Sequence, residues 1–139
     1  MSMFEIFNVS GSAVSAQSQR LNVVASNLAN AETVAGPDGQ PYKARQVVFQ
    51  TVPMGQGAQR DASAGVRVST ITEDTSAGRR VHDPKHPAAD ADGYVTYSNV
   101  NAVEEMVNMI SASRSYQNNI EVMNTARSLL QKTLQMGQG

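Results

Sequence analysis

Two histidines and three aspartates fall within eleven residues, His82-Asp-Pro-Lys-His86 followed by Asp90 and Asp92. No other stretch is so well supplied with groups that ligate metals or move protons. Histidines four apart hold a metal when a helix sets them on one face, but Pro84 and Pro87 forbid that helix. Asp90-Ala-Asp-Gly93 has the acidic alternation of a calcium loop, yet its glycine comes two positions early and no glutamate follows at the required distance. The stretch reads as Asx and proline turns leading into a strand at Tyr94.

Other catalytic templates fail more simply. There is no glycine-rich phosphate loop, no G-x-S-x-G elbow and no H-E-x-x-H. With no cysteine in the chain, disulfides, zinc thiolate sites and thiol catalysis are excluded. Asn8-Val-Ser10 has the form of a glycosylation sequon without a secretory context. The sequence therefore predicts no catalytic, cofactor-binding or metal-ligating residue, no enzyme and no small-molecule substrate. The minor alternative is a metal-dependent enzyme using His82, His86 and Asp90.

The rest of the chain explains what such residues would have to sit on. Of 23 charged side chains, fourteen lie between residues 33 and 98. The two ends are almost neutral: Arg20 is the one charge between Glu5 and Glu32. A net charge of -1 and a pI near 6.1 give no attraction to nucleic acid or to an anionic membrane. No apolar run is long enough to span a bilayer. Met1 to Asn8 lacks the basic and apolar regions of a secretory signal, so any export is expected to leave the N-terminus intact.

Residues 1–32 predict a helix. Ser2 with Glu5 forms a capping box, and Phe7, Val14, Leu21 and Leu28 recur every seventh residue, with Val24 and Ala31 between them late in the run. That spacing marks a seam packed on another helix. Ser10-Gly11-Ser12 predicts a hinge or fray, since glycine weakens a helix interior by about 1 kcal/mol. The remaining faces carry Ser, Asn, Gln and Ala rather than Lys–Glu pairs, which suits close neighbours better than water.

Residues 33–98 predict an insert of β-hairpins and loops. The Pro37-Asp-Gly39 turn stops the helix. Val47–Phe49, Gly65–Ile71 and Tyr94–Tyr97 predict short strands, and the loop from Met54 to Gly65 predicts a mobile segment.

Residues 99–139 return to helix, with Asn101 and Glu104 at its start. Apolar residues at alternating spacings of four and three, including Met106, Met109, Tyr116, Ile120, Met123, Leu130 and Leu134, predict a coiled-coil stripe. Val103, Val107 and Ile110 add a second stripe, so this half is expected to touch more than one neighbour. The fold class is thus mainly α with a β-rich insert, the two terminal helices forming one coiled-coil core domain. A two-helix hairpin leaves apolar surface wet, and other subunits are the simplest cover.

Both ends carry longer motifs. Leu21-Asn-Val-Val-Ala-Ser-Asn-Leu-Ala-Asn-Ala-Glu-Thr33 resembles the N-terminal signature of flagellar rod and hook proteins. Asn99-Val-Asn-Ala-Val-Glu-Glu-Met-Val-Asn-Met-Ile110, continuing to Asn119, resembles their C-terminal signature. Asn27, Leu28, Asn30, Thr33, Asn99, Asn101, Glu105 and Met106 are the positions that carry the match. Pro37–Tyr42, Arg45–Phe49, Asp83–Pro87 and Asp92–Val95 are similar to the short members of the proximal rod.

The resemblance implies a subunit exported unprocessed by the flagellar type III apparatus, with ends disordered until assembly. It implies a place in a helical tube that crosses the periplasm, transmits torque and lets exported subunits pass. The partners it implies are the chain itself and other rod proteins. Two rivals are a different axial subunit of the same apparatus and a soluble coiled-coil adaptor or chaperone.

Overall fold

The structure is a computed structural model that describes residues 2–55 and 63–138. In chain order it contains α1 (Met3–Ala29), β1 (Arg45–Pro53), β2 (Ala64–Glu73), β3 (Arg80–His82), β4 (Tyr94–Thr96) and α2 (Ala102–Gly137).

The helix ends follow from local chemistry. The Glu5 N–H donates to Ser2 Oγ at 3.2 Å, and the Ser2 N–H donates to Glu5 Oε2 at 2.6 Å. This is the capping box the sequence predicts. At the far end Asn30 Nδ2 donates back to Ser26 O at 2.9 Å, and Thr33 Oγ1 donates to Asn30 O at 2.7 Å, turning the chain out of the helix. α2 begins at Asn101, whose Oδ1 accepts the Val103 and Glu104 amides.

α1 and α2 pack along each other in antiparallel fashion. Asn27, near the end of α1, bonds to Glu105 in the first turn of α2, whereas Met3 and Ile6 share a groove with Ala126 and Leu129. Both pairings, 27 with 105 and 6 with 126, sum to 132, so Met3 lies level with Leu129. α2 then continues alone to Gly137, about 12 Å at 1.5 Å per residue.

β1 and β2 form an antiparallel ribbon from Arg45↔Glu73 to Pro53↔Ala64. The partner of Val48 is Thr70 and that of Phe49 is Val68, so Ser69 is the extra residue of a bulge. β3 pairs with β4, and Val34 bridges Tyr97. The ribbon rests on α1.

Three sequence expectations change. The expected hinge at Ser10-Gly11-Ser12 is absent, because α1 is continuous there. Those small residues form a seat for the ribbon. Ser10 is buried, and Ser12 Oγ accepts the Val66 N–H at 3.1 Å while donating to Val9 O at 2.7 Å. A Cβ at Gly65 would run into the Met54 thioether and the Ser12 hydroxyl, so any larger residue here requires those side chains to shift. Secondly, β1 extends well beyond Val47–Phe49, because ladder pairing with β2 recruits polar flanking residues. Thirdly, β3 was not expected; its three residues gain strand form only by pairing with β4. The tip expected to be mobile falls largely on residues 56–62, outside the described residues.

Buried apolar side chains are few and mostly small: Ala16, Val24, Ala31, Ala44, Val95, Ala112 and Ala126. Larger ones are half-buried in the helix seam or exposed. Val103 is 71% exposed, Leu134 60% and Met136 82%.

Candidate functional site

Three elements meet at the side chain of Asn27. Its amide is fully buried, at 0% exposure. Nδ2 donates to Arg45 O at 2.8 Å and to Glu105 Oε2 at 3.1 Å. Oδ1 accepts the Arg45 N–H at 3.0 Å and the Tyr42 hydroxyl at 2.9 Å. The amide thus pairs with one residue's N–H and C=O as a neighbouring strand would, which fixes where β1 leaves the helix pair. All four hydrogen-bonding positions of the side chain are used, so neither a carboxylate nor an apolar residue substitutes for it.

The partners are tuned to this. Burial raises the Tyr42 phenol above its ordinary value; the Arg45 guanidinium pulls it back, and the Glu105 and Glu73 carboxylates add to the rise. The phenol therefore keeps its proton for Asn27. Glu105 is 8% exposed, and its second oxygen accepts a long bond from Asn108 Nδ2 at 3.5 Å.

A second junction lies one turn before α2. Asn99 Oδ1 accepts the Ala44 N–H at 2.7 Å, and its Nδ2 donates to Asp74 O at 3.0 Å and Ser76 O at 3.1 Å. Asn27 and Asn99 together tether both strands of the ribbon to the root of the helix pair. Hydrogen bonds from the Ser76 backbone and side chain hold the Asp74 carboxyl below its ordinary value.

The helix faces divide into a seam and a free surface. Along α1 the half-buried line Phe7, Val14, Leu21, Leu28 runs beside Ser10, Val24 and Ala31. Along α2, Met109, Tyr116, Met123 and Leu130 are half-buried, again seven apart. Their companions are the buried Glu105, Ala112 and Ala126 rather than Met106, Ser113 and Arg127. Ile120 is half-buried, whereas Met106, Ile110 and Leu134 are exposed in the single chain. Val103, Met106, Val107 and Ile110 form one apolar stripe on the first turns of α2. A groove of about 440 Å³ between Met3, Ile6, Val122, Ala126 and Leu129 opens at the other end.

The histidine stretch is a pair of turns. His82 stands edge-on to Tyr94 with centroids 5.0 Å apart. His86 Nδ1 accepts the Ala88 N–H at 3.0 Å. Asp90 Oδ1 accepts the Asp92 and Tyr94 amides, and Oδ2 pairs with Arg80 at 3.0 Å. The Tyr94 bond is the main reason the Asp90 carboxyl lies below its ordinary value. Among the described residues, no group of three or more His, Cys, Asp and Glu is placed to hold a metal ion.

Of the positions singled out by sequence, the structure brings Asn27 and Glu105 into contact, puts Asn30 with Thr33 at the end of α1, and puts Asn101 at the start of α2. Sequence reasoning gave no contact to Tyr42 or Arg45, and took Ser12 only as part of a hinge. Nothing local marks them, because each acts through a bond spanning between 15 and 54 residues.

Comparison with known proteins agrees with this division. Residues 7–37 match the family described as "Flagella basal body rod protein", and residues 91–136 match "Flagellar basal body rod FlgEFG protein C-terminal". Asn27 and Glu105 lie inside the matched segments, Tyr42 and Arg45 between them. The chain is similar to the flagellar basal-body rod protein FlgC of Salmonella typhimurium (strain LT2), with 54% identity over 138 residues, 99% of this chain and 100% of that protein. It is 58% identical to the FlgC of Yersinia enterocolitica over the same coverage. With the FlgC of Buchnera aphidicola subsp. Baizongia pistaciae it shares 40% over 140 residues, again 99% and 100% of the two chains.

Proposed function

We infer, for a chain that belongs to the FlgC family of flagellar basal-body rod proteins, that its helix pair is the polymerising part and its ribbon the lateral part. The chain is a structural subunit of the flagellar basal-body rod, not an enzyme, and it assembles with other rod components. Its place is the proximal rod, where a helical tube transmits torque and lets exported subunits pass.

The observation that carries this reading is the exposure of large apolar side chains along both ends of the helix pair, notably Phe4, Val103, Val107, Ile110 and Leu134. A monomer in water leaves such surface uncovered at a cost of about 25 cal/mol per Å². Neighbouring subunits remove it. Residues 1–32 and 99–139 form a coiled-coil core, and residues 33–98 are an insert displayed from it. Phe7, Val14, Leu21, Val24 and Leu28 pack within the subunit on the face of α2 that carries Met109, Tyr116 and Met123, and the exposed Met106, Ile110 and Leu134 pack between subunits. Contacts that join different faces and do not close into a ring give an open helix. The type III export apparatus carries the chain out, and ordering of the ends on assembly prevents premature polymerisation.

Complementation of a strain lacking the protein tests this. Leu21→Asp or Ile120→Asp places a carboxylate in the half-buried seam, and each should abolish swimming while the chain is still made. Wild-type swimming by either variant would sink the reading.

A further inference from the structure

The chain has no cysteine, so methionine carries all of its sulfur. Met54 has two serine hydroxyls near its thioether. A Cβ built on Gly65 would lie 2.7 Å from Met54 Sδ and 2.8 Å from Ser12 Oγ, so both groups crowd one point of the β2 backbone where the ribbon meets α1. The Ser12 hydroxyl is fully engaged there, donating to Val9 O and accepting the Val66 N–H. Across the ribbon, the Met54 N–H donates to Ser63 O at 2.9 Å. Opposed residues of an antiparallel pair put their side chains on one face, so Ser63 Oγ lies on the side of Met54. Ser63 is 3% exposed, and among the described residues its Oγ is the one buried hydroxyl without a hydrogen-bond partner.

We propose that Met54 is a site of reversible oxidation by hydrogen peroxide, whose sulfoxide leaves Ser12 for the Ser63 hydroxyl and releases the ribbon from α1. The inference stands on the ribbon seat alone and is independent of which faces pack between subunits. A lone pair on Sδ attacks one peroxide oxygen. The S–O bond forms as the O–O bond breaks, and the departing hydroxide takes the proton of the transferred oxygen and leaves as water. The sulfur loses two electrons and the peroxide gains them. Met54 is half-buried, so peroxide reaches it without unfolding of the ribbon.

The product does not fit the seat. A sulfoxide is polar, accepts hydrogen bonds without donating any, and is larger than the thioether by one oxygen. Beside Gly65 even a methyl group forces the Met54 and Ser12 side chains to move. The Ser12 proton already serves Val9 O and the Val66 N–H already serves Ser12, so an oxygen placed there meets lone pairs and finds no donor. An acceptor buried in that way is costly. Ser63 supplies the missing donor. Swinging the head group across gives the new oxygen its bond and satisfies a hydroxyl that is otherwise unpaired. The ribbon then loses the Met54 packing that seats β2 on α1. Its other end stays tethered by Asn27 and Asn99, so the release is local.

Trypsin digestion of recovered basal bodies after peroxide treatment tests this, with cleavage after Arg67, an exposed residue of β2, followed by mass spectrometry. Met54 should gain one oxygen, and cleavage should become about tenfold faster, equivalent to about 1.4 kcal/mol in the opening equilibrium. Methionine sulfoxide reductases should reverse both changes. Met54→Leu, which conserves volume, should abolish the response, and Ser63→Ala should shrink it. Met54→Gln, a polar stand-in for the sulfoxide, should show the fast cleavage without peroxide. Equal responses in the parent and Met54→Leu, a Met54 that stays unoxidised, or cleavage already complete before peroxide would overturn the proposal. An undiminished response in Ser63→Ala would overturn the part given to that hydroxyl.

Discussion

Asn27 and Asn30 stand three residues apart in the same motif, and the structure predicts that losing their side chains has very different consequences. Asn27→Ala removes four hydrogen bonds from a fully buried position. The Glu105 carboxylate, at 8% exposure, loses its shorter donor, a loss of about 1.5–3 kcal/mol for a charged partner. The Arg45 backbone and the Tyr42 hydroxyl recover part of their bonding from water, leaving about 1–2 kcal/mol more. The total, about 3–5 kcal/mol, is a large share of the stability of a small domain, about 5–15 kcal/mol. Asn30→Ala removes one exposed bond to Ser26 O and should cost about 0.5–1 kcal/mol. Urea titration of the purified chains by circular dichroism measures the difference, and swimming halos of complemented strains give a second readout. Asn27→Asp adds a pH signature. It sets a second carboxylate about 3 Å from Glu105, and two such groups hold a proton between them more tightly than either does in the unfolded chain. The native state then binds more protons, so this variant should be most stable near pH 4 and lose stability as pH rises toward 7. Equal losses for Asn27→Ala and Asn30→Ala, or no pH trend in Asn27→Asp, would refute the idea that Asn27 is the junction of three elements.

Other outcomes follow from the same geometry. Gly65→Ala should lift the ribbon off α1 at a cost of about 1–3 kcal/mol, seen as faster proteolysis of β1 and β2, with Met54→Ala partly compensating. Because Asp90 is held below its ordinary value by the Tyr94 and Asp92 amides and by Arg80, the order it lends its turn is present above the usual aspartate range. That order is lost as pH falls below about 4. Amide exchange at Asp92 and Tyr94 should quicken there, and the Asp90→Asn variant should show no such step. Finally, His82→Ala with His86→Ala should leave swimming unchanged; a loss restored by added divalent metal would revive a metal role for that stretch.

The sequence was most legible where structure is local. The capping box at Ser2 and Glu5, the Asn101 cap and the seven-residue spacing of Phe7, Val14, Leu21 and Leu28 depend on neighbours within a turn or two, and the structure shows helices over both segments. The site was legible by residue but not by partner. Asn27 and Glu105 stood out as motif positions, yet the bond between them spans 78 residues and no pattern in either segment announces it. Ser10-Gly11-Ser12 was misread for the same reason. As helix sequence it is weak, and its value lies in admitting the β2 backbone at Gly65 and Val66, which is a fact about another element.

The register of α2 carries the most consequential difference. A stripe chosen for apolar side chains runs through Met106, Ser113, Ile120, Arg127 and Leu134, but the buried positions are Glu105, Ala112 and Ala126, one residue before Met106, Ser113 and Arg127. Helices approach closely where side chains are small, so alanines at the contact bring α2 nearer to α1 than methionine or leucine would allow. This rotation turns Met106 and Ile110 outward, and Leu134 lies beyond the end of α1, where a solitary helix pair has nothing to set against them. The same choice that tightens the pair within one chain thereby leaves larger apolar residues of α2 exposed, the surface that the proposed assembly would cover. An Ala112→Leu or Ala126→Leu substitution should therefore harm assembly twice, by spreading the helices by about 1 Å or more and by rotating the outward stripe away from its partner. If either variant builds rods and swims like the parent, the small-residue seam is not what orients the free face.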